Sequence, residues 1–279
     1  MPVYTFNGTN PVTTGFSGKK SEYDRVFNNV LALKQGDQPL DQLRVARYVF
    51  GSSGTTHNLA LPDACGVLVY DNANPAEISG LAGGRDGRIV LVRVLGAGYL
   101  RFLHDNAGST AGNKITCAST NGQFIGFRGS ALLWYDGLSG YWRCELLNPG
   151  APITPTFSAS DYSAAAPMVW TVASGGVNHM TMQQWGKVIE ISMNVSGTTS
   201  GTASLNLIRT VPFGFTHSVS GQHTPLMRAN DAGGVEIRAF GYIHGSSPTT
   251  ILFYKDGVTN WGIGATVALL TSRFRLEVN

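Results

Sequence analysis

Charge is scarce in this chain. Asp, Glu, Lys and Arg make up 13% of its 279 residues, about half the usual share, and the formal net charge of +3 is thinly spread. Lys19-Lys20 is the only adjacent basic pair, and Arg85, Arg88, Arg93 and Arg101 lie among apolar neighbours. The clustered basic footprint of a nucleic-acid binder is missing. Long apolar runs are missing too: no stretch reaches the roughly 18 residues of a membrane span, so no membrane insertion is expected. The opening MPVYTFNGTN has neither a basic start nor an apolar core, which argues against a secretory signal. Cysteine is limited to Cys65, Cys117 and Cys144. An odd number at such wide spacings fits neither a CxxC metal site nor a disulfide framework. Buried free thiols in a protein made in a reducing cytoplasm are expected.

Catalytic motifs are equally sparse. GxSxG, HExxH, Walker A and GxGxxG patterns do not occur. The histidines at 57, 104, 179, 217, 223 and 244 are dispersed. His217 and His223 stand i, i+6 across a glycine loop, a spacing too loose to define a metal pair. Neither metal nor cofactor is expected. A glycosidase needs two facing carboxylates about 5–10 Å apart, and the sequence singles out no such pair. Asp71, Asp86, Asp105, Asp136 and Asp256 each stand beside Gly or Asn, where an Asp side chain caps a turn. No repeat of 20–30 residues is evident, which counts against a long β-helical depolymerase. The chain is therefore expected not to be an enzyme.

Glycine and short apolar runs dominate instead. There are 35 glycines, and 43% of residues are hydrophobic, enough for packed cores but broken up by turns. The pattern predicts a mainly β protein in three zones. Residues 1–50 hold a helix signal: Ser21 can cap, Asp24 follows at the capping-box position, and Gly36 can terminate. Tyr23, Phe27, Val30 and Leu31 then form an attachment or oligomerisation helix, packed on its own domain or on another chain. Residues 51–150 read as strands at 66–70, 88–95, 99–104, 123–127, 131–135 and 141–146. Arg88, Val90, Val92 and Val94 alternate onto one face, and Asp105-Asn106, Asn121-Gly122 and Asp136-Gly137 supply turns. PGAPITPTF at 149–157 reads as a stiff connector. Residues 151–279 carry further strands at 167–172, 179–185, 187–195, 202–208, 235–244, 249–254 and 269–278. A turn is expected at Gly186 and a flexible loop at 196–201. The expected architecture is two antiparallel β-sandwiches of jelly-roll type behind a short helical segment.

Aromatic residues offer the best binding candidates. Trp134, Tyr135, Tyr141 and Trp142 surround the DGLSG turn, where Trp134 and Trp142 are best explained as cross-strand core partners. Trp261 and Tyr254, with Asn260 and Asp256 nearby in sequence, are the candidates for stacking on and hydrogen bonding to a glycan.

The segment 78–143 resembles a module of tailed-bacteriophage fibre, spike and decoration proteins. The resemblance is carried by ISGL at 78–81, GGRDGR at 83–88, VLVRVLGAG at 90–98, DNAGSTAGNKI at 105–115, QFIGFRGSALLWYD at 123–136 and YWR at 141–143. It covers about a quarter of the chain. RVLG at 93–96 departs from the pattern, which often has Asn before that turn. GKVIEISMNVSGTTSG at 186–201 and LNLIRTVPFGFT at 205–216 more loosely resemble terminal β-domains of such proteins. The resemblance implies a virion structural protein assembled in the host cytoplasm, a homotrimer that attaches by its N-terminus to other virion proteins. Its C-terminal domain would face outward toward host surface polysaccharide. Alternatives are a capsid decoration, head-fibre or tail adaptor protein, and, less favoured, a glycan depolymerase or a non-viral lectin-like module. The family carries no catalytic residues over to this chain.

Overall fold

The computed structural model describes residues 45–217, 225–243, 247–256 and 259–279. The expected helix with Tyr23, Phe27, Val30 and Leu31 lies outside the described residues. The chain divides into a unit Met1–Ala46 and a unit Arg47–Asn279, and the second holds nearly all the described residues. Among them there is no α-helix, only short 3-10 turns between strands arranged in several sheets. The protein is mainly β.

Among the described residues twelve strands precede the connector. They are β1 (Ala46–Phe50), β2 (Gly54–Thr56), β3 (Leu59–Ala60), β4 (Cys65–Tyr70), β5 (Ala76–Ile78), β6 (Leu81–Ala82), β7 (Ile89–Val94), β8 (Leu100–Phe102), β9 (Ile115–Thr116), β10 (Gln123–Ile125), β11 (Ser130–Asp136) and β12 (Tyr141–Asn148). They form a six-stranded sheet β1-β4-β7-β11-β12-β9, a four-stranded sheet β10-β8-β5-β2 and the pair β3-β6.

Pairing here departs from the expected antiparallel sandwich. Gly54, Ala76 and Leu100 are parallel partners on β2, β5 and β8, at spacings of 22 and 24 residues (76−54 and 100−76). Leu59 pairs with Leu81 at a spacing of 22 (81−59), and Val67 with Leu91 at 24 (91−67), again in parallel. Two passes of the chain, β2-β3-β4 and β5-β6-β7, thus stack strand on strand in three sheets, and β8 continues the stack in one of them. A repeat in the 20–30 residue range exists after all. Its rungs are too short to leave a sequence signature, because two or three residues point only one or two side chains inward. Ile78, Leu81, Leu100 and Phe102 are those inward residues, all fully buried. The antiparallel hairpin β11–β12 closes the sheet beside β7, and Trp142 Nε1 donates to the Leu81 carbonyl at 2.9 Å, tying hairpin to stack. Loops stack as well: Asn58 Oδ1 accepts from Thr110 N at 2.9 Å and from Asn113 Nδ2 at 3.0 Å. At Gly96 the chain passes so close to the loop below that a Cβ would lie 2.2 Å from the Asn72 nitrogen.

The period-two reading of the 88–95 segment holds for its apolar members, since Val90, Val92 and Val94 are buried. Arg88 stands just before β7 and donates to the carbonyls of Gly83 and Pro62, both at 2.7 Å. Cys65, Cys117 and Cys144 are buried and free.

After the connector come β13 (Tyr162–Ala164), β14 (Val169–Thr171), β15 (Val177–Trp185), β16 (Val188–Ser200), β17 (Asn206–Thr210), β18 (Met227–Asp231), β19 (Val235–Tyr242), β20 (Thr250–Lys255) and β21 (Gly264–Glu277). They make one antiparallel sheet in the order β13-β17-β20-β19-β18-β21-β16-β14, with β15 also paired to β16. Its end strands β13 and β14 follow each other in the chain and touch, so the sheet curls round a single core. No jelly roll is described by this order. Ile189, Ile191, Met193 and Val195 alternate inward along β16. Gly186 makes the β15–β16 turn with φ +61°.

The flexible loop expected at 196–201 is instead largely strand, since β16 continues to Ser200. The glycine there serves close packing: a Cβ at Gly197 would lie 2.5 Å from the Thr171 carbonyl oxygen and 2.7 Å from Trp170 Nε1.

Two hydrophobic cores result, one before the connector and one after it. The connector is pinned down: Ile153 and Met182 exchange backbone hydrogen bonds of 2.8 and 2.7 Å, and Gln183 Nε2 donates to the Gly150 carbonyl. Phe124 on β10 belongs to the second core, where its ring meets Phe213 at 4.6 Å and Phe215 at 5.7 Å. The C-terminal Asn279 carbonyl accepts from Thr120 N at 2.9 Å and from Ser119 Oγ at 2.6 Å.

Candidate functional site

The four residues expected to bind glycan do not converge. Trp261 is fully buried, and its Nε1 donates to the Phe253 carbonyl at 2.9 Å. Its ring faces are consumed by the core, which corrects its assignment as a stacking platform. Tyr254 points to the other side of β20, half-buried, stacked on Phe240 at 5.6 Å, its hydroxyl accepting from Asn206 Nδ2 at 3.2 Å. Asn260 is exposed and donates to the Ala203 carbonyl at 3.4 Å, while exposed Asp256 sits in the turn after β20.

Trp134 and Trp142 are not paired with each other. Trp134 lies opposite Arg143, and Trp142 opposite Tyr135, whose ring meets it edge-on at 5.5 Å. Trp142 is buried and Trp134 is on the outer face. Asp136 and Asp86 do turn work, Asp136 Oδ1 accepting from Leu138 N at 3.1 Å and Asp86 Oδ1 from Gly137 N at 2.9 Å, whereas the Asp105 carboxylate pairs with Lys114 Nζ at 2.8 Å instead of capping its turn. His217 is buried, with neither ring nitrogen hydrogen bonded among the described residues. His223 lies outside them. Among the described residues no group of three or more His, Cys, Asp or Glu side chains could hold a metal ion.

A groove in the C-terminal unit gathers the polar and aromatic groups that the sequence leaves scattered. It encloses about 380 Å³ between residues 154–157 of the connector, the start of β13 and the start of β15. Phe157, 37% exposed, lies at its edge and stacks on Tyr162 at 6.0 Å and 23°. Tyr162 pairs with Arg209 across β13 and β17, which brings the guanidinium 5.1 Å from the tyrosine ring centroid. Arg209 is only 2% exposed; one guanidinium nitrogen donates to the Thr210 carbonyl, and the buried Nε has no partner among the described residues. Asp161, Asn178, His179 and Thr181 complete the polar lining.

His179 and Thr181 also line an adjoining hollow of about 350 Å³ with Gln183, Glu190, Ser192 and Arg273. This surface is the outer face of three paired strands. In register, Thr181 stands beside Ser192 and Ser192 beside Arg273, with Gln183, Glu190 and Arg275 in the next row. His179 hydrogen bonds Ser192 Oγ at 3.1 Å. Glu190 is nearly buried between Arg273 and Arg275, the latter at 2.9 Å. Burial pushes its carboxyl up, but hydrogen bonds from the two guanidinium groups outweigh that and hold it below the ordinary glutamate range.

The sequence did not point here because the contributors come from the connector, two short strands and a long hairpin. TFSASDY at 156–162 was the nearest available signal, since it places an aromatic, an acid and a second aromatic beside a Pro-rich linker.

No family model matches the chain, and no curated protein matches it. Among solved structures it is similar to the chain described as the crystal structure of Dettilon tailspike protein, with a TM-score of 0.36 and 13% identity. That likeness covers 84% of this chain and 45% of the other, so the chain spans less than half the length of the protein it matches. Among the described residues, no helix is long and apolar enough to cross a membrane.

Proposed function

We propose that this chain is a bacteriophage virion structural protein of tail-fibre or tail-tip type. Its N-terminal zone attaches to other virion proteins, and its C-terminal β-unit recognises host surface polysaccharide. The observation that carries the reading is the coupling of a parallel strand stack to a curled antiparallel sheet through a shared aromatic core. The stack lies in the segment whose residues resemble phage fibre, spike and decoration modules. Stacked passes make a stiff element whose strands each rest on neighbours along one axis. A stiff element rigidly joined to a grooved unit suits a protein that holds a binding surface away from a particle.

A homotrimer fits this reading. Among the described residues β2 and β1 are the end strands of their sheets, and rotational symmetry gives such edges cover. The reading assigns the chain no catalysis, no cofactor, no nucleic acid and no membrane insertion. Mass spectrometry of purified particles, with co-purification of the chain as a trimer, tests it; a monomer absent from particles refutes it.

One observation favours a second reading, a decoration or adaptor protein packed on neighbouring virion subunits. The outer face of the six-stranded sheet sets exposed Ile89 beside Trp134, next to the pair Leu91 and Leu132. An apolar sheet face of this kind fits contact with another protein. Copy number per particle separates the two readings.

A further inference from the structure

We infer that the groove formed by Phe157, Asp161, Asn178, His179 and Arg209 is a subsite for an acidic saccharide, a sugar ring that bears a carboxylate. The inference rests on the host-recognition reading and adds the place and the charge of the ligand.

Two features carry it. The first is the buried cation. Arg209 lines the groove, yet no carboxylate pairs with it among the described residues, and its Nε–H is unpartnered. A buried charge is normally paired or hydrogen bonded, because leaving water without compensation is costly. Among the described residues the compensation comes from the Tyr162 ring and the Thr210 carbonyl. An anionic ligand in the groove supplies the missing counter-charge.

The second is the aromatic step. Phe157 and Tyr162 stack in near-parallel planes at 6.0 Å, and Phe157 is the exposed member. A flat apolar ring at a groove's edge matches the C–H face of a sugar, and polar groups opposite it match the hydroxyls. Asp161 accepts, while Asn178 and Thr181 donate or accept.

The test uses the full chain, isotope-labelled, titrated with sodium glucuronate and, separately, with glucose at matched sodium chloride. Expected are chemical-shift changes at the backbone amides of Asn178, His179 and Thr181 with glucuronate, at least threefold larger than with glucose. Phe157→Ala is expected to reduce the glucuronate response about tenfold while retaining the parent's dispersed spectrum. Equal response to the two sugars overturns the acidic assignment, and an undiminished response in Phe157→Ala overturns the site. Arg209→Met, read alongside thermal unfolding, is expected to abolish the preference for glucuronate; Phe157→Ala keeps the test decisive if that buried change unfolds the chain. Presence of the chain in purified particles is scored separately, so the subsite can fail while the virion assignment stands, and the reverse.

Discussion

Gln184 holds Phe124 across the junction of the two β-units: its side-chain oxygen accepts from the Phe124 nitrogen at 2.9 Å while its amide nitrogen donates to the Gly122 carbonyl at 2.9 Å. Both residues are buried. A glutamine in this position satisfies a donor and an acceptor that the end of β10 would otherwise leave orphaned. Gln184→Leu is expected to strand both groups and destabilise the protein by about 1–3 kcal/mol. Denaturant unfolding, followed by a probe in each unit, checks this. Loss of coincidence between the two transitions is the expected sign that the junction makes them unfold together.

Trp261 acts as a core residue. Trp261→Ala is expected to cost about 3–5 kcal/mol of stability, with no change in saccharide response beyond that caused by unfolding. Thermal denaturation and the same sugar titration, run side by side, distinguish this from a binding role. A stable variant that selectively loses binding contradicts the placement.

Asp231 and Lys255 form an ion pair of 2.7 Å between largely buried side chains. Burial pushes the Asp231 carboxyl up, but hydrogen bonds from Lys255 and from the nitrogens of Gly262 and Ala232 hold it below the ordinary aspartate range. Because the folded-state value is depressed, its stabilisation is complete above the unfolded aspartate pKa, roughly 4, and disappears as pH falls through the folded value. Asp231→Asn is therefore expected to be less stable than the parent at neutral pH. The gap should narrow on acidification below roughly pH 4. Unfolding midpoints of both proteins across that range test the sign.

The three cysteines are buried and unbridged. A hydrogen bond with Cys117, and after it burial, raises the Cys144 thiol well above its usual range. A thiol reagent is expected to leave all three unreacted in the native protein and to modify all three in denaturant. Rapid modification of the native chain would contradict the packing of β12 against β9.

What the sequence made legible depended on strand length. The alternation of Val90, Val92 and Val94 and the turn at Gly186 are local signals, and both appear in the fold. The stack was hidden because GTT, AEI and LRF share no residue at any aligned position, although Gly54, Ala76 and Leu100 are partners in space. Gly197 was misread because glycine in a polar run signals a loop, whereas its value here is room for Trp170. Trp261 looked free because Asn and Gly flank it, yet the flanking loop folds the ring inward, with Gly262 N donating to Asp231 Oδ1 at 2.7 Å. The groove was illegible for a different reason: Phe157, His179 and Arg209 meet only once β13, β15 and β17 are assembled.

The 22- and 24-residue spacings remove one sequence-based reason for setting a depolymerase aside, so activity is worth a direct assay. The protein is expected to release no reducing ends from host polysaccharide. Release that is abolished by Asp161→Asn would make the groove catalytic.

The most direct measurement is a reconstruction of the intact phage particle that locates this chain and counts its copies. The account predicts a few trimers at the tail, attached through their N-terminal zones, with residues 151–279 facing outward. Absence of the chain from the particle would contradict it outright. Many copies lying flat on the capsid lattice would contradict the tail assignment and make the protein a decoration.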